Sequence, residues 1–175
     1  TITVNGRTYT HTYDAATRTW TNRSPEGRTI ATALDRLGRP ISATIAGVEP
    51  LAQAYDDRGR LEQLVHGTRL TSYAYDETSG YLKSHTDALG HATSYDHDAS
   101  GRLVSLTQPG GSLWSYEWDA GDNLTTLTEP DGGTQHVLTY TLDDQLGLYR
   151  SPLGTDERFT YDWDARLVRR AFPST

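Results

Sequence analysis

Cysteine and methionine are both absent from the 175 residues. No disulfide can staple the chain and no thiolate can ligate a metal, which leaves the redox compartment open. Lysine occurs once, at Lys83, and the other 15 of the 16 basic residues are arginine, a bias that fits a GC-rich bacterial gene. No apolar run is long enough to cross a bilayer and no secretion signal is present, so membrane insertion is not expected. No window beyond about ten residues carries a 3.6-residue apolar stripe, which argues against helices. Apolar residues make up 35% of the chain and the mean hydropathy is −0.65, too little for a conventional thick core. The net charge of −7 repels phosphate backbones and excludes a nucleic-acid partner. Position 1 is not methionine, and repeat-like sequence reaches both termini. These features are expected of an internal piece of a longer protein.

What is present is aromatic and turn-forming. Eleven Tyr and four Trp argue against disorder. Threonine occurs 26 times and glycine 16 times, the first suited to half-exposed pleated strands and the second to turns. The chain therefore reads as all-β, a thin sheet wet on at least one face. An aromatic residue or Leu followed by Asp returns at Tyr13-Asp14, Leu34-Asp35, Tyr55-Asp56, Tyr75-Asp76, Tyr95-Asp96, Trp118-Asp119, Leu142-Asp143 and Tyr161-Asp162, at gaps of 19 to 24 residues. Such a period marks one structural unit copied in tandem, whose copies must stack to bury their faces.

The unit has a physical logic. The aromatic ends a strand, Asp caps a turn by accepting backbone N–H groups, Gly takes the left-handed conformation, and Leu begins the return strand. The clearest copy is Tyr55, Asp56, Gly59, Arg60 and Leu61. Others are Leu34, Asp35, Gly38 and Arg39; Tyr75, Asp76, Gly80 and Leu82; and a stretched copy at Tyr95, Asp96, Gly101, Arg102 and Leu103. Two are degenerate: Trp118, Asp119, Asn123 and Leu124, and Tyr161, Asp162, Arg166 and Leu167. A second turn interrupts each repeat, at 47–50, 66–67, 87–90, 109–111, 130–133 and 152–154. Two turns per period leave two strands of about six residues, hence a β-hairpin per repeat in an extended antiparallel sheet. A parallel β-helix has a similar period and is the alternative architecture. No linker is visible, so residues 1–175 are expected to be one array of about eight units.

The pattern Tyr-Asp, a short gap, Gly-Arg-Leu and a glycine turn resembles the YD repeat of the RHS family, over nearly the whole chain. Tyr55 to Leu61, Tyr95 to Leu103 and Leu148 to Gly154 carry it best. The resemblance implies a curved sheet of hairpins forming part of a hollow shell wall, as in teneurins, bacterial polymorphic toxins and toxin-complex subunits. It further implies that flanking RHS repeats of the same parent chain, an enclosed toxic C-terminal domain and delivery machinery are the partners. Localisation would be secreted or at the bacterial cell surface, with the protein held in the cytoplasm before export. The family's closing region with its Asp-Pro-x-Gly-type self-cleavage elements is missing, so self-cleavage is not assigned.

Candidate chemistry is sparse. The Asp residues recur with the period, as turn caps do, whereas an active site breaks a period. His91, Asp96, His97 and Asp98 are the densest group of metal-ligand types, but a site needs three or four converging atoms, and a turn ordinarily leaves these groups solvated. There is no nucleophile elbow and no phosphate-loop lysine. No catalytic residue, metal or cofactor is therefore expected, and no enzyme. Trp114, Tyr116 and Trp118 alternate on one strand face and are candidates for stacking on a sugar, with inter-strand packing as the competing reading. A cell-surface adhesion or carbohydrate-binding module with a glycan partner is accordingly the alternative function.

Overall fold

The computed structural model describes residues 1–130 and 133–172. Asp131 and Gly132, assigned above to a turn, lie outside the described residues. Seventeen strands are present, with no helix among the described residues. They are β1 (Ile2–Val4), β2 (Arg7–Asp14), β3 (Thr19–Arg23), β4 (Thr29–Leu34), β5 (Pro40–Ile45), β6 (Val48–Tyr55), β7 (Leu61–His66), β8 (Arg69–Tyr75) and β9 (Leu82–Thr86). They continue as β10 (Ala92–His97), β11 (Leu103–Thr107), β12 (Leu113–Trp118), β13 (Leu124–Thr128), β14 (Gln135–Tyr140), β15 (Leu146–Arg150), β16 (Asp156–Tyr161) and β17 (Leu167–Ala171).

The chain divides into two compact units, residues 1–74 with 85–91, and residues 75–84 with those from 92 onward. In the first, β1 to β8 pair antiparallel in sequence order. In the second, β10 to β17 do the same. The parallel β-helix is thereby overturned: a turn of two to six residues cannot return a chain to a parallel neighbour, and the turns here have that length.

Hairpins form where the sequence offers left-handed residues. Asn5 and Gly6, at φ 48° and 74°, make the two-residue turn between Val4 and Arg7. Most other turns are five-residue loops in which the first residue's carbonyl accepts the fourth residue's N–H. The first N–H then donates to the fifth carbonyl, as in Asp35 to Arg39. The fourth position is left-handed, at Gly38, Gly59, Gly101 and Gly154, for example. This is a type I turn closed by a left-handed residue, a loop whose twist matches the flanking strands. It recurs at both hairpin ends, with Asp, Thr, Ser or Gln in first place.

No apolar side chain is fully buried among the described residues, and Glu157 alone is buried among the polar ones. The strands carry half-buried residues instead, as in β11 and β13, where every position is intermediate. The low apolar content thus matches a sheet held by cross-strand contacts and turns rather than by a dry interior.

Candidate functional site

The turns that follow the aromatic residues are closed by recurring side-chain hydrogen bonds. Asp35 Oδ1 accepts the backbone N–H groups of Leu37 and Arg39 at 2.8 and 2.9 Å, while Oδ2 takes Arg39 Nε at 2.7 Å. Asp56 holds Arg58 and Arg60 in the same way, and Asp98 holds Ser100 and Arg102. Asp119 does so with Gly121 and Asn123, and Asp162 Oδ1 with Asp164 and Arg166. Asp76 closes a turn one residue longer, accepting from Thr78 and from Ser79 twice. Asp14 accepts from Ala16 and the Thr17 hydroxyl. Donors converging on the ionised form favour it. The backbone N–H of Arg39 accordingly holds the Asp35 carboxyl below its ordinary range, and that of Asn123 does so for Asp119. At Asp98 partial burial pushes upward, but the Arg102 guanidinium and backbone outweigh it and the net shift is down.

Two places correct the sequence reading. The unit at Tyr95-Asp96 begins two residues later, because Asp98 and not Asp96 caps the turn. Asp96 lies within β10 and accepts the Ser105 hydroxyl at 2.6 Å, and Tyr95 pairs with Leu106. The unit at Leu142-Asp143 begins two residues earlier, with Tyr140 as its aromatic and Thr141 as its cap. In both, the cap must stand three positions before the left-handed residue, which is Gly101 or Asp144. The repeat positions then become 13, 34, 55, 75, 97, 118, 140 and 161, with gaps of only 20 to 22 residues.

Tyr55, Trp118, Tyr140 and Tyr161 also reach back to the preceding repeat. Tyr55 Oη donates to the Pro40 carbonyl at 2.8 Å, Trp118 Nε1 to Leu103 at 2.8 Å, Tyr140 Oη to Leu124 at 2.9 Å and Tyr161 Oη to Leu146 at 3.0 Å. The acceptor is always the first residue of the preceding return strand. Above the ring lies the fifth residue of the preceding turn: the Arg39 guanidinium is 4.3 Å from the Tyr55 centroid, and that of Arg102 is 5.9 Å from Trp118. At the longer turn the parts are exchanged. Tyr81 occupies the arginine place and packs on His97 at 5.2 Å.

The same fifth residue extends over the left-handed position of the next turn. Arg102 Nη1 reaches Asp122 Oδ1 at 2.8 Å and Asn123 Nδ2 reaches Asp144 Oδ1 at 2.9 Å. Where that position is glycine, the neighbour fills the space. A Cβ on Gly59 would stand 2.8 Å from Arg39 Nη1, and one on Gly101 2.5 Å from Tyr81 Oη. The two non-glycine residues at φ 64° and 56°, Asp122 and Asp144, thus have a compensating contact. None of this ladder follows from the dipeptide pattern alone; a search at fixed spacing from the left-handed residue would have found Tyr81, His97, Asp98, Tyr140 and Thr141.

Trp114, Tyr116 and Trp118 do share one face of β12, each half-buried. Trp114 pairs with Leu106, Tyr116 with Leu127 and Trp118 with Leu124. Trp114 Nε1 has a long contact to Gln108 Oε1 at 3.4 Å. The four metal-ligand candidates are engaged one by one. His91 Nδ1 lies 3.2 Å from Asp87 Oδ2, His97 packs on Tyr81, and Asp96 and Asp98 have the partners given above. No group of three ligand-type residues is placed to hold a metal ion among the described residues. A polar cluster missed from the sequence joins β14 and β15: His136 bonds the Tyr149 hydroxyl at 2.7 Å and Glu129 Oε1 at 3.1 Å.

The model of the Teneurin YD-shell family matches residues 1–175. The chain belongs to that family. Two crystal structures, TcdB2-TccC3 and the same pair without its hypervariable C-terminal region, share the fold with this YD-shell chain. Each has a TM-score of 0.53 and 15% identity. The likeness covers 95–96% of this chain but only 12–13% of those chains, so the YD-shell segment spans about an eighth of their length. No curated protein matches the sequence. The family is one of structural shell domains.

Proposed function

We propose that the chain is a stretch of shell wall that encloses a toxic C-terminal domain of its parent protein until delivery. The observation that carries this reading is the ladder itself. Successive hairpins are tied by aromatic donors and turn-to-turn contacts, with no fully buried apolar side chain among the described residues. Such a sheet grows by adding like units, and its energetics resemble those of a solenoid in which each repeat depends on its neighbours. Containment needs no catalytic group. Flanking repeats of the parent, the enclosed domain and delivery machinery are the partners of this wall, and residues 1–175 form one array within it. Its setting is a bacterial secreted or cell-surface protein.

Limited proteolysis of the full-length gene product tests the reading. The C-terminal domain should resist protease in native buffer and be cut once denaturant opens the wall. Equal digestion in both conditions would overturn enclosure. A second reading, glycan stacking on the β12 row, draws on the part-exposed ring of Trp114. A glycan array with native protein and Trp114→Ala tests it: loss of a native signal supports it and a blank array removes it.

A further inference from the structure

At the turn Thr141 to Gln145 the ladder loses both its capping carboxylate and its fifth-place arginine, and a groove lies there. In the turn Thr141 to Gln145 the capping Asp is replaced by Thr141 and the fifth-place arginine by Gln145. The next aromatic, Tyr161, still donates to Leu146, so its ring stands where Tyr55 and Trp118 stand in their repeats. No guanidinium overlies it. The Gln145 side-chain amide makes no hydrogen bond among the described residues, and the left-handed residue one turn on is Ala165, which offers no carboxylate. Here lies a groove of about 650 Å³ lined by Thr141, Asp143, Gln145, Phe159, Tyr161, Asp162 and Trp163, among others. One lining side chain, Trp163, is fully exposed at 104%.

The charge of the lining is one-sided. Asp143 and Asp162 contribute carboxylates, and no lining residue is cationic. Asp143 has no ion pair or hydrogen bond among the described residues. Asp162 uses Oδ1 for its own turn, while Oδ2 lacks the arginine Nε that the same atom takes at Asp35, Asp56 and Asp98. At Tyr55 and Trp118 this space holds a guanidinium over the ring, hydrogen-bonded to a carboxylate and, for Arg102, to the Asp119 carbonyl at 2.8 Å. The carbonyl equivalent to that of Asp119 is that of Asp162. A ring face beside unpaired carboxylates attracts a planar cation more than a neutral group, and arginine exploits both.

We infer that this groove is a receptor for an arginine side chain presented by another polypeptide segment, which completes the ladder in trans. The inference concerns these two turns and holds whether or not the chain encloses a cargo. It is distinct from the β12 row, and its ligand is a cation rather than a sugar.

Calorimetric titration of the purified protein with the capped peptide Gly-Gly-Arg-Gly-Gly tests it, against the same peptide carrying citrulline, which keeps the shape and removes the charge. Saturable binding of the arginine peptide, absent or at least about tenfold weaker for citrulline, is expected. Trp163→Ala, a change at a fully exposed side chain, should weaken binding severalfold with the melting temperature unchanged. Gln145→Arg should abolish it, because the chain's own guanidinium then fills the slot. Equal affinity for the two peptides, no saturable binding, binding indifferent to Trp163→Ala, or a groove occupied by an oligosaccharide instead would each overturn the inference. Should Gln145→Arg fail to fold, Trp163→Ala and the citrulline comparison still decide it.

Discussion

The Tyr140 hydroxyl donates to the Leu124 carbonyl at 2.9 Å, sixteen residues back in the chain at the start of the neighbouring strand. The bond lies beyond the β13–β14 backbone ladder and ties the end of one strand to the start of the previous return strand. Tyr161 and Leu146 repeat it at 3.0 Å. Since these are neutral hydrogen bonds in partly buried positions, each is worth about 1 kcal/mol. Tyr140→Phe should therefore lower stability by about 1 kcal/mol, and Tyr161→Phe by a similar amount. Denaturant unfolding with unchanged slope and a shifted midpoint is the check. A neutral Tyr140→Phe would show that the ring alone holds the repeats together.

Glycine at the fourth turn position is required for two separable reasons, and two substitutions separate them. Gly154, at φ 78°, has nothing within 4 Å of an added Cβ, so Gly154→Ala carries only backbone strain, about 1 kcal/mol. Gly101, at φ 85°, would bring its Cβ to 2.5 Å from Tyr81 Oη and 2.6 Å from Cζ. That ring is packed on His97 and cannot simply swing aside. Gly101→Ala should thus cost clearly more than Gly154→Ala, and Tyr81→Ala in the same chain should bring the two costs together. Equal costs in the native background would mean that Tyr81 yields without resistance.

This distinction also explains how far the sequence could be read. Period, strand type and antiparallel pairing were all visible, because Asp-x-x-Gly turns and alternating aromatics act locally and are spelled by neighbouring residues. Register was less visible. Tyr95-Asp96 looks like the motif but sits within a strand, while His97-Asp98, Tyr140 and Thr141 perform its role without its letters. The tie between hairpins was invisible, since Tyr140 and Leu124, or Asn123 and Asp144, meet only after the sheet has formed. So was the groove at Gln145, which is defined by a contact that its neighbours make and it does not.

Removing Asp122 should loosen Arg102 selectively. Its carboxylate lies 2.8 Å from Arg102 Nη1, and it is one reason a non-glycine residue is tolerated at φ 64°. Asp122→Gly relieves the backbone and deletes the ion pair together, so the net change should be small, because exposed pairs contribute little. Asp122→Ala keeps the left-handed strain and loses the partner, and should be the more destabilising of the two. Parallel denaturant melts rank them. The reverse order would mean that left-handed backbone strain does not decide this turn.

Stability should fall in acid and have its slope set by the capping carboxylates. Asp35, Asp76, Asp87 and Asp119 are each held below the ordinary value by a backbone N–H, of Arg39, Ser79, His91 and Asn123 respectively. A carboxyl depressed in the folded state adds stability that is complete above its unfolded pKa, about 3.9, and is lost as pH falls through the lower folded value. Stability should therefore be level from about pH 5 upward and decline below it, as the unfolded chain takes up protons first. Tyr140 acts at the other end with the opposite sign. Partial burial, then the charge of Asp119, raises its pKa, so its contribution is complete below about 10 and is lost as pH climbs through the higher folded value. Urea midpoints measured across pH should show both flanks. Asp119→Asn should flatten the acid limb by removing one proton-linked group, and Tyr140→Phe should flatten the alkaline limb while leaving the acid one untouched. An acid limb unchanged by Asp119→Asn would place the linkage elsewhere than in the turn caps.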